Sequence, residues 1–231
     1  MKGRRAQNRQ HLEAEILRLG RAQLAESGAA ALSLRAVARD LGMASSAVYR
    51  YVASRDELLT RLIVESYDAL GDAVDAALRD VPADDLHGRW LAIGGAMRGW
   101  GVSHPHDWAL LYGSPVPGYV APPERTTPPG TRVLMLVIGL VLDAVAAGRA
   151  APASRRPSPS DGALAGARDQ VHDLGLTEAQ LPAGLFLAAM AAWTLMAGSV
   201  SVEVFEQFGE LETYEELHAS NLGVAAGLIL G

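Results

Sequence analysis

Apolar residues recur at helical spacing along most of the chain. Leucine and isoleucine return every three to five positions between residues 12 and 24, which predicts a first helix over residues 10–27. The same periodicity predicts further helices at 34–41, 45–52, 55–78, 86–101, 131–148, 163–174, 178–207 and 213–229, with a short helix inside 104–113. No window alternates apolar and polar residues as a half-buried strand would, so the predicted fold class is all-α.

Capping and turn residues separate these helices. Ser33 is placed to cap the second helix and Gly42 to end it, where a side chain would strain the turn. The run from Ser54 to Glu57 has the spacing of a capping box for the fourth helix. Residues 114–130 contain six prolines and residues 151–162 are polar, so both segments are predicted to be loops.

Charge is distributed unevenly along the chain. Residues 1–61 carry eleven basic and six acidic side chains, a balance of +5, within a chain whose net charge is −6. The remaining residues carry nine basic and twenty acidic side chains, a balance of −11. This asymmetry is typical of a DNA-binding head joined to a body that does not bind DNA. An ordinary solvated basic face would give the same counts.

The sequence lacks the residues needed for several kinds of catalytic and metal-binding site. The chain has no cysteine, which excludes disulfides, cysteine-based zinc sites and cysteine nucleophiles and suits a cytoplasmic location. Its N-terminus is polar and lacks the apolar core of a signal peptide. His104 and His106 come without a set of carboxylates, so no metal and no cofactor are predicted. Without a placeable nucleophile or Gly-rich phosphate loop, we do not expect an enzyme.

One segment is apolar enough to suggest a membrane. The run between Glu178 and Glu203 has no charged residue and is long enough to span a bilayer. It is rich in alanine and glycine, contains Pro182 and several polar residues, and has no flanking lysine or arginine to set an orientation. These features favour a buried core or interface helix over a membrane span, and no membrane partner is expected.

The stretch LSLRAVARDLGMASSAVYRYVASRDELL, residues 32–59, has the layout of a helix-turn-helix. Its second helix packs through Leu34 and Val37, and Gly42 supplies the turn. The next helix exposes small polar residues at its start, which let the backbone approach base edges. Tyr49 and Arg50 then supply reach and hydrogen bonds. Core packing is the alternative role for the tyrosines.

This stretch resembles the DNA-binding signature of the TetR family of bacterial one-component regulators, over roughly residues 10–60. It departs from that signature at Ala44, where the family usually has a Ser or Thr helix cap, and at Tyr51 and Val52. Loss of such a cap costs about 1 kcal/mol locally unless a neighbouring serine replaces it. The basic segment from Lys2 to Arg5 would either enter a neighbouring minor groove or remain only a basic tail.

The resemblance implies roles for individual residues in contact with DNA. Those placed for base edges are Ser45, Ser46 and Ala47, those for phosphates and some bases are Tyr49, Arg50 and Tyr51, and those for phosphates alone are Ser33, Arg35 and Arg55. The implied architecture is a helix-turn-helix DNA-binding domain over residues 1–60. It is followed over residues 61–231 by a helical domain that dimerises and encloses an effector pocket.

Large aromatic and sulfur-containing side chains in the second part of the chain are candidates for that pocket. The candidate ligand-binding residues are Met97, Trp100, Trp108, Tyr112, Met135 and Trp193. Such side chains would suit a small apolar or aromatic effector. Tryptophan and methionine at helical spacing are also ordinary core residues, and the sequence leaves that alternative open.

The last two long helices, 178–202 and 213–229, are the predicted homodimer interface, because alanine and glycine let helices approach closely. Two DNA-binding heads would then occupy successive major grooves of a roughly palindromic double-stranded operator. The predicted function is a ligand-responsive repressor that releases its operator when the effector binds. A helical protein–protein adaptor with a relict DNA-binding head, or a helical enzyme, are the alternatives.

Overall fold

The computed structural model describes residues 2–156 and 158–231, with side chains from Ala6 onward. The α-helices in these residues are α1 (Lys2–Ser27), α2 (Leu34–Asp40), α3 (Ser45–Val48), α4 (Arg55–Leu78), α5 (Leu86–Ser103), α6 (Pro105–Tyr112), α7 (Pro123–Ala146), α8 (Asp161–Asp173), α9 (Ala183–Val204) and α10 (Tyr214–Ile229). No strand occurs within the described residues, and an isolated antiparallel bridge joins Ala150 to Leu230. The all-α prediction is confirmed.

The observed helix boundaries agree best with the predicted ones where a capping residue marks the start of the helix. α4 begins at Arg55 and ends at Leu78, as its capping box and periodicity predict. α1 starts well before the predicted residue 10, because the charged residues ahead of it continue the same helix. α9 starts later than predicted, at Ala183, where the Glu178 carboxylate accepts a hydrogen bond from the Ala183 backbone N–H at 3.0 Å.

The loop predicted over residues 114–130 is only partly correct, because α7 begins at Pro123. Proline at the first helical position loses no hydrogen bond, since that N–H has no partner within the helix. The Thr126 hydroxyl donates to the Pro122 carbonyl at 3.0 Å and secures the first turn. Pro128 and Pro129 then lie inside the helix. The loop predicted over residues 151–162 includes Pro157, which lies outside the described residues.

The described chain divides into two compact units, each built from two separate segments. The first contains the residues up to Ala69 together with His104–Gly130, and the second contains Leu70–Ser103 together with Thr131–Gly231. The assignment of DNA binding to residues 1–60 and of effector binding to residues 61–231 stays a prediction.

The first unit is built on an apolar core shared by α1, α2, α3 and α4. Its fully or almost fully buried members are Ile16, Leu24, Leu32, Leu34, Val37, Ala38, Val48, Val52, Leu58, Leu59, Leu62 and Ile63. Burial of such side chains supplies most of the favourable free energy of folding. The short helices α2 and α3 therefore depend on tertiary packing, because helices of their length are not stable alone.

The capping box at the start of α4 forms only in part. The Ser54 hydroxyl accepts a hydrogen bond from the Glu57 backbone N–H at 3.0 Å. The Glu57 carboxylate instead accepts hydrogen bonds from Arg61 at 2.7 Å and from Arg125 of α7 at 2.5 Å. Burial raises the pKa of Glu57, but these hydrogen bonds outweigh burial, so the pKa lies below its ordinary value. The carboxylate therefore links α4 to the start of α7.

In the second unit, α9 packs against α5, α8 and α10. Trp90 of α5 is fully buried, and its indole N–H donates to the Leu222 carbonyl of α10 at 2.9 Å. Gly94, one turn further along α5, lies directly against the Leu222 side chain. The absence of a side chain at Gly94 is what allows α5 and α10 to approach this closely.

A buried polar group lies in the same region of the second unit. The His218 ring donates from Nε2 to the Gly94 carbonyl at 3.1 Å, and its Nδ1 lies 2.7 Å from the Ser199 hydroxyl. Burial lowers the pKa of His218 below its ordinary value. The Ser199 hydroxyl also lies 2.8 Å from the Met196 carbonyl, and because it carries one proton it donates either to that carbonyl or to Nδ1 of His218.

Two described helices, α7 and α9, are long and apolar enough by length and composition to cross a membrane, a test that core helices of soluble proteins also pass. In α9 the side chains of Ala188, Ala189 and Ala192 are buried against neighbouring helices. One face of α9 is therefore packed within the second unit, and the preference for a core or interface helix over a membrane span stays a prediction.

We expect Gly94→Ala to destabilise the protein and the adjacent Gly95→Ala to leave it as stable or slightly more stable. A Cβ at Gly94 would lie 2.5 Å from the Leu222 side chain, whereas a Cβ at Gly95 would have no neighbour within 4 Å. Overpacking of this kind costs about 1–3 kcal/mol, and replacing an exposed helical glycine by alanine gains up to about 1 kcal/mol. Urea unfolding of the two variants measures the difference. Equal midpoints would contradict the close approach of α5 and α10.

Candidate nucleic-acid interface

The helix-turn-helix is built from α2, a tight turn and α3. Ser33 has an extended backbone, and its hydroxyl accepts a hydrogen bond from the Ala36 N–H at 3.4 Å, which caps α2. Gly42 has a φ of 65°, a conformation that side chains disfavour, and its N–H donates to the Arg39 carbonyl at 3.0 Å. The Met43 N–H then donates to the Ala38 carbonyl at 2.9 Å and closes the turn. The predicted cap and turn are therefore present.

α3 is shorter than the predicted helix 45–52, because it ends at Val48 and leaves Tyr49 and Arg50 in the turn that follows. Val48 is fully buried, whereas Ser46 and Arg50 are exposed and Tyr49 is 46% exposed. The exposure of Tyr49 argues against the alternative that this tyrosine is only a core residue. Ser45 and Ala47 are half-buried, and Arg35 of α2 is exposed.

The start of α3 has no side-chain cap. Ala44 occupies the cap position with an extended backbone and makes no side-chain hydrogen bond, and no neighbouring serine replaces it. The first N–H groups of α3 therefore lack the side-chain acceptor that a Ser or Thr would supply. The departure at Ala44 thus has a structural consequence at the start of the predicted recognition helix.

Tyr51 lies beside a second group of polar residues that the sequence analysis missed. Asn8 and Arg9 of α1 form, with Arg50 and Tyr51, an open cleft of about 420 Å³. The Arg9 guanidinium stands over the Tyr51 ring, 5.7 Å from its centroid, at a distance suited to a cation–π contact. Two arginines beside an exposed recognition helix are suited to phosphates. The i, i+4 pair of Arg9 with Glu13, at 2.8 Å, could have indicated that α1 extends this far.

Arg55 acts within the fold. Its guanidinium donates to the carbonyls of Leu32 at 3.1 Å, Ala29 at 3.0 Å and Ala30 at 3.2 Å, and also pairs with Asp56 at 3.3 Å. Most of its donors are therefore already used, which weakens the prediction that its side chain binds phosphate. Arg55 instead fixes the short 3-10 turn Ala29–Ala31 to the start of α4.

A polar cluster joins α6 to α1 and α4 in the same unit. The Asp107 carboxylate accepts hydrogen bonds from the Arg21 guanidinium and from the Ser66 hydroxyl, the latter at 2.5 Å. Arg21 also donates to Glu65 at 2.9 Å. Near the other end of the segment, the hydroxyls of Thr60 and Tyr119 lie 2.9 Å apart. Residues 104–130 are thus fastened to the helices that support the DNA-binding motif.

The six predicted ligand-binding residues are divided between the two units. Trp108 and Tyr112 belong to the first unit, where their rings lie 4.3 Å apart and Tyr67 meets Tyr112 edge-on at 6.4 Å. Burial raises the pKa of Tyr112 well above its ordinary value. The other four belong to the second unit and are Met97 and Trp100, both buried, Trp193, half-buried, and Met135, which is 43% exposed.

The two histidines, His104 and His106, lie at the start of α6. His104 occupies the N-cap position of α6, and His106 lies in the first turn of that helix. Among the described residues, no group of three or more histidine, cysteine, aspartate or glutamate side chains is placed to hold a metal ion.

A tight turn joins α2 to α3, and serine, tyrosine and arginine side chains are exposed there beside further arginines. This arrangement is that of a DNA-binding protein of the helix-turn-helix class. Residues 16–62 match the family described as bacterial regulatory proteins, tetR family, and residues 90–222 match the tetracyclin repressor-like C-terminal domain. The chain belongs to the TetR family of transcriptional regulators, and DNA binding through the helix-turn-helix is the basis of its function.

Relatives of known name support this assignment. The HTH-type transcriptional regulator Rv1816 of Mycobacterium tuberculosis is 47% identical over 212 residues, covering 90% of this chain and 86% of that protein. The regulatory protein SCO4313 has a crystal structure that matches with a TM-score of 0.74 at 29% identity, over 96% of this chain and 98% of that one. A tetR family regulator from Shewanella sp. PV-4 shares the fold, with a TM-score of 0.64 at 14% identity, over 95% and 98% of the two chains.

We expect Arg55→Ala to lower the free energy of unfolding by about 1–3 kcal/mol, because three backbone carbonyls lose a charged donor. Arg50→Ala should change this free energy by less than about 0.5 kcal/mol, because Arg50 is exposed. Chemical denaturation followed by circular dichroism measures both. Equal stability of the two variants would contradict the structural role of Arg55.

Proposed function

We propose that the chain is a repressor without enzymatic activity, which binds a palindromic operator as a homodimer and releases it when a small apolar molecule binds. The observation that carries this proposal is the surface formed by α3 and the turn after it, where Ser46, Tyr49 and Arg50 are exposed while Val48 is buried. An apolar core on one side and a polar, basic surface on the other is the arrangement required to enter a major groove.

In this proposal, some residues of the helix-turn-helix contact base edges and others contact phosphates. Ser45, Ser46 and Ala47 approach base edges, because their small side chains let the backbone come close. The proposed phosphate contacts, some of which also reach bases, come from Ser33, Arg35, Tyr49, Arg50 and Tyr51, now joined by Asn8 and Arg9 of the adjoining cleft. Arg55 contributes indirectly, by holding the turn that precedes α2.

The proposed homodimer forms through α9 and α10. These helices pack against each other, and α10 also presents outward residues with small or apolar side chains. Val224 is 59% exposed and stands beside the exposed Gly223, with Gly227 half-buried one turn further along. Close approach of a second copy would cover this surface. A two-fold symmetric dimer requires an operator with two-fold symmetric half-sites.

For the effector we propose a small apolar or aromatic molecule. The candidates in the second unit are Met97, Trp100, Met135 and Trp193, which combine flat aromatic surface with adaptable thioethers. Trp108 and Tyr112 are candidates from the first unit, where they contact each other. Binding would change the equilibrium between a state that fits the operator and a state that does not.

Selection of bound DNA from a random pool tests the DNA-binding part, and we expect it to return two inverted half-sites. Arg50→Ala should lower affinity for the selected operator about tenfold and reduce the magnitude of the salt-dependence slope by about 1. Arg168→Ala, at an exposed position of α8, is the matched control and should bind as the wild type does. If no sequence is selected and Arg50→Ala binds DNA as the wild type does at low salt, the adaptor alternative is favoured.

The release part has its own test. Small aromatic compounds that quench tryptophan fluorescence should lower operator affinity, and saturating operator should lower affinity for the same compound by an equal factor. Isothermal titration with and without operator DNA measures both factors. A compound that binds strongly to the second unit and leaves operator affinity unchanged would exclude it as an effector, and a set of such compounds would overturn the release mechanism.

A further inference from the structure

An open cavity of about 430 Å³ lies at the surface of the first unit, and its lining differs from the residues discussed as effector contacts. The residues that line it come from the end of α1, the 3-10 turn, α6 and the segment after α6, and they are Leu24, Ser27, Gly28, Ala29, Ala30, His106, Ala109, Leu110, Ser114, Pro115, Val116 and Pro117. Its volume falls within the range of about 300–1,000 Å³ typical of small-molecule sites. None of the six predicted ligand-binding residues lines it.

Hydrogen bonds to residues outside the lining hold the walls of this cavity in place. Here Arg55 holds the carbonyls of Ala29 and Ala30 from outside the cavity. On the opposite side, Asp107 ties α6 to Arg21 and Ser66. The cavity is therefore formed before any ligand binds, which removes part of the ordering cost of binding.

The segment after α6 forms the third wall, and two prolines and a turn hydrogen bond make it rigid. Pro115 and Pro117 fix the backbone on either side of Val116, and the Tyr119 N–H donates to the Val116 carbonyl at 3.1 Å. The Tyr119 hydroxyl then meets that of Thr60 at 2.9 Å, which anchors this segment to α4. Closing the cavity would require breaking these contacts, and this is why an open apolar cavity persists here.

The lining determines the chemistry of the occupant. No aspartate, glutamate, lysine or arginine lines the cavity, so a charged ligand would lose its hydration without gaining a counter-charge. The polar side chains are those of Ser27, Ser114 and His106, and the remaining lining side chains are aliphatic. This combination suits a neutral, mainly apolar molecule that carries one or two hydrogen-bonding groups.

We propose that this cavity is a binding site for a small, neutral, apolar molecule within the DNA-binding unit, separate from the effector residues of the proposed function. Its floor, Ala29 and Ala30, runs into Ser33 through Leu32, so an occupant contacts the segment that leads directly into α2. This site is a property of the first unit alone and does not depend on an effector pocket elsewhere.

Titration of the full-length protein with N-phenyl-1-naphthylamine, a neutral apolar dye that fluoresces when it leaves water, tests the proposal. Ala30→Phe places a ring into the cavity from an exposed position, and Ala109→Phe does so from the opposite wall. Ala31→Phe is the matched control, since Ala31 is exposed in the same 3-10 turn and does not line the cavity. Circular dichroism verifies that each variant is folded.

We expect the dye to bind the wild type and Ala31→Phe with equal affinity, and Ala30→Phe and Ala109→Phe at least tenfold more weakly. The anionic analogue 8-anilino-1-naphthalenesulfonate should bind the wild type more weakly than the neutral dye does. Unchanged dye affinity in a folded Ala30→Phe or Ala109→Phe variant would overturn the site, and equal affinity for the anionic dye would overturn its selectivity for neutral molecules. Operator selection is measured separately, so the proposed function and this site fail independently.

Discussion

The Asp107 carboxylate joins α6 to both α1 and α4 within the first unit. It accepts hydrogen bonds from α1 and α4, although it lies 86 residues beyond Arg21 and 41 residues beyond Ser66 in the chain. Its side chain is only 15% exposed, and a charge at that depth is tolerated only when it is paired and hydrogen-bonded. The interaction fixes the spacing of α1 and α4, the two long helices against which the helix-turn-helix packs.

The parts of the interface that could be predicted are those encoded by neighbouring residues. The Ser33 cap, the turn at Gly42 and the start of α4 at Arg55 each depend on side chains within four positions, so their signals can be read directly. The contact of Arg9 with Tyr51 joins segments that are distant in sequence. Arg55 shows the same limit, because a basic residue at a helix start suits a phosphate until the carbonyls of the preceding turn are seen to occupy it.

Aromatic residues and prolines illustrate why the rest could not be predicted. Trp90 and Trp108 are both completely buried, yet one donates to a backbone carbonyl and the other lies against the tilted ring of Tyr112. Helical spacing cannot distinguish these roles from ligand binding. Pro128 and Pro129 lie inside α7, where the helix continues into buried apolar turns despite the lost N–H donors. In each case packing overrides a local preference, which is the usual reason that propensity fails.

The discontinuity of the first unit has a consequence for biosynthesis. Its second segment ends at Gly130, so a chain emerging from the ribosome can complete this unit only after more than half of its 231 residues have been made. Until then, the partners of Arg21, Ser66 and Thr60 on the later segment are missing. A nascent chain of 60 residues therefore lacks these contacts, and recombination that exchanged only those residues between relatives would separate the helix-turn-helix from the later segment that packs in the same unit.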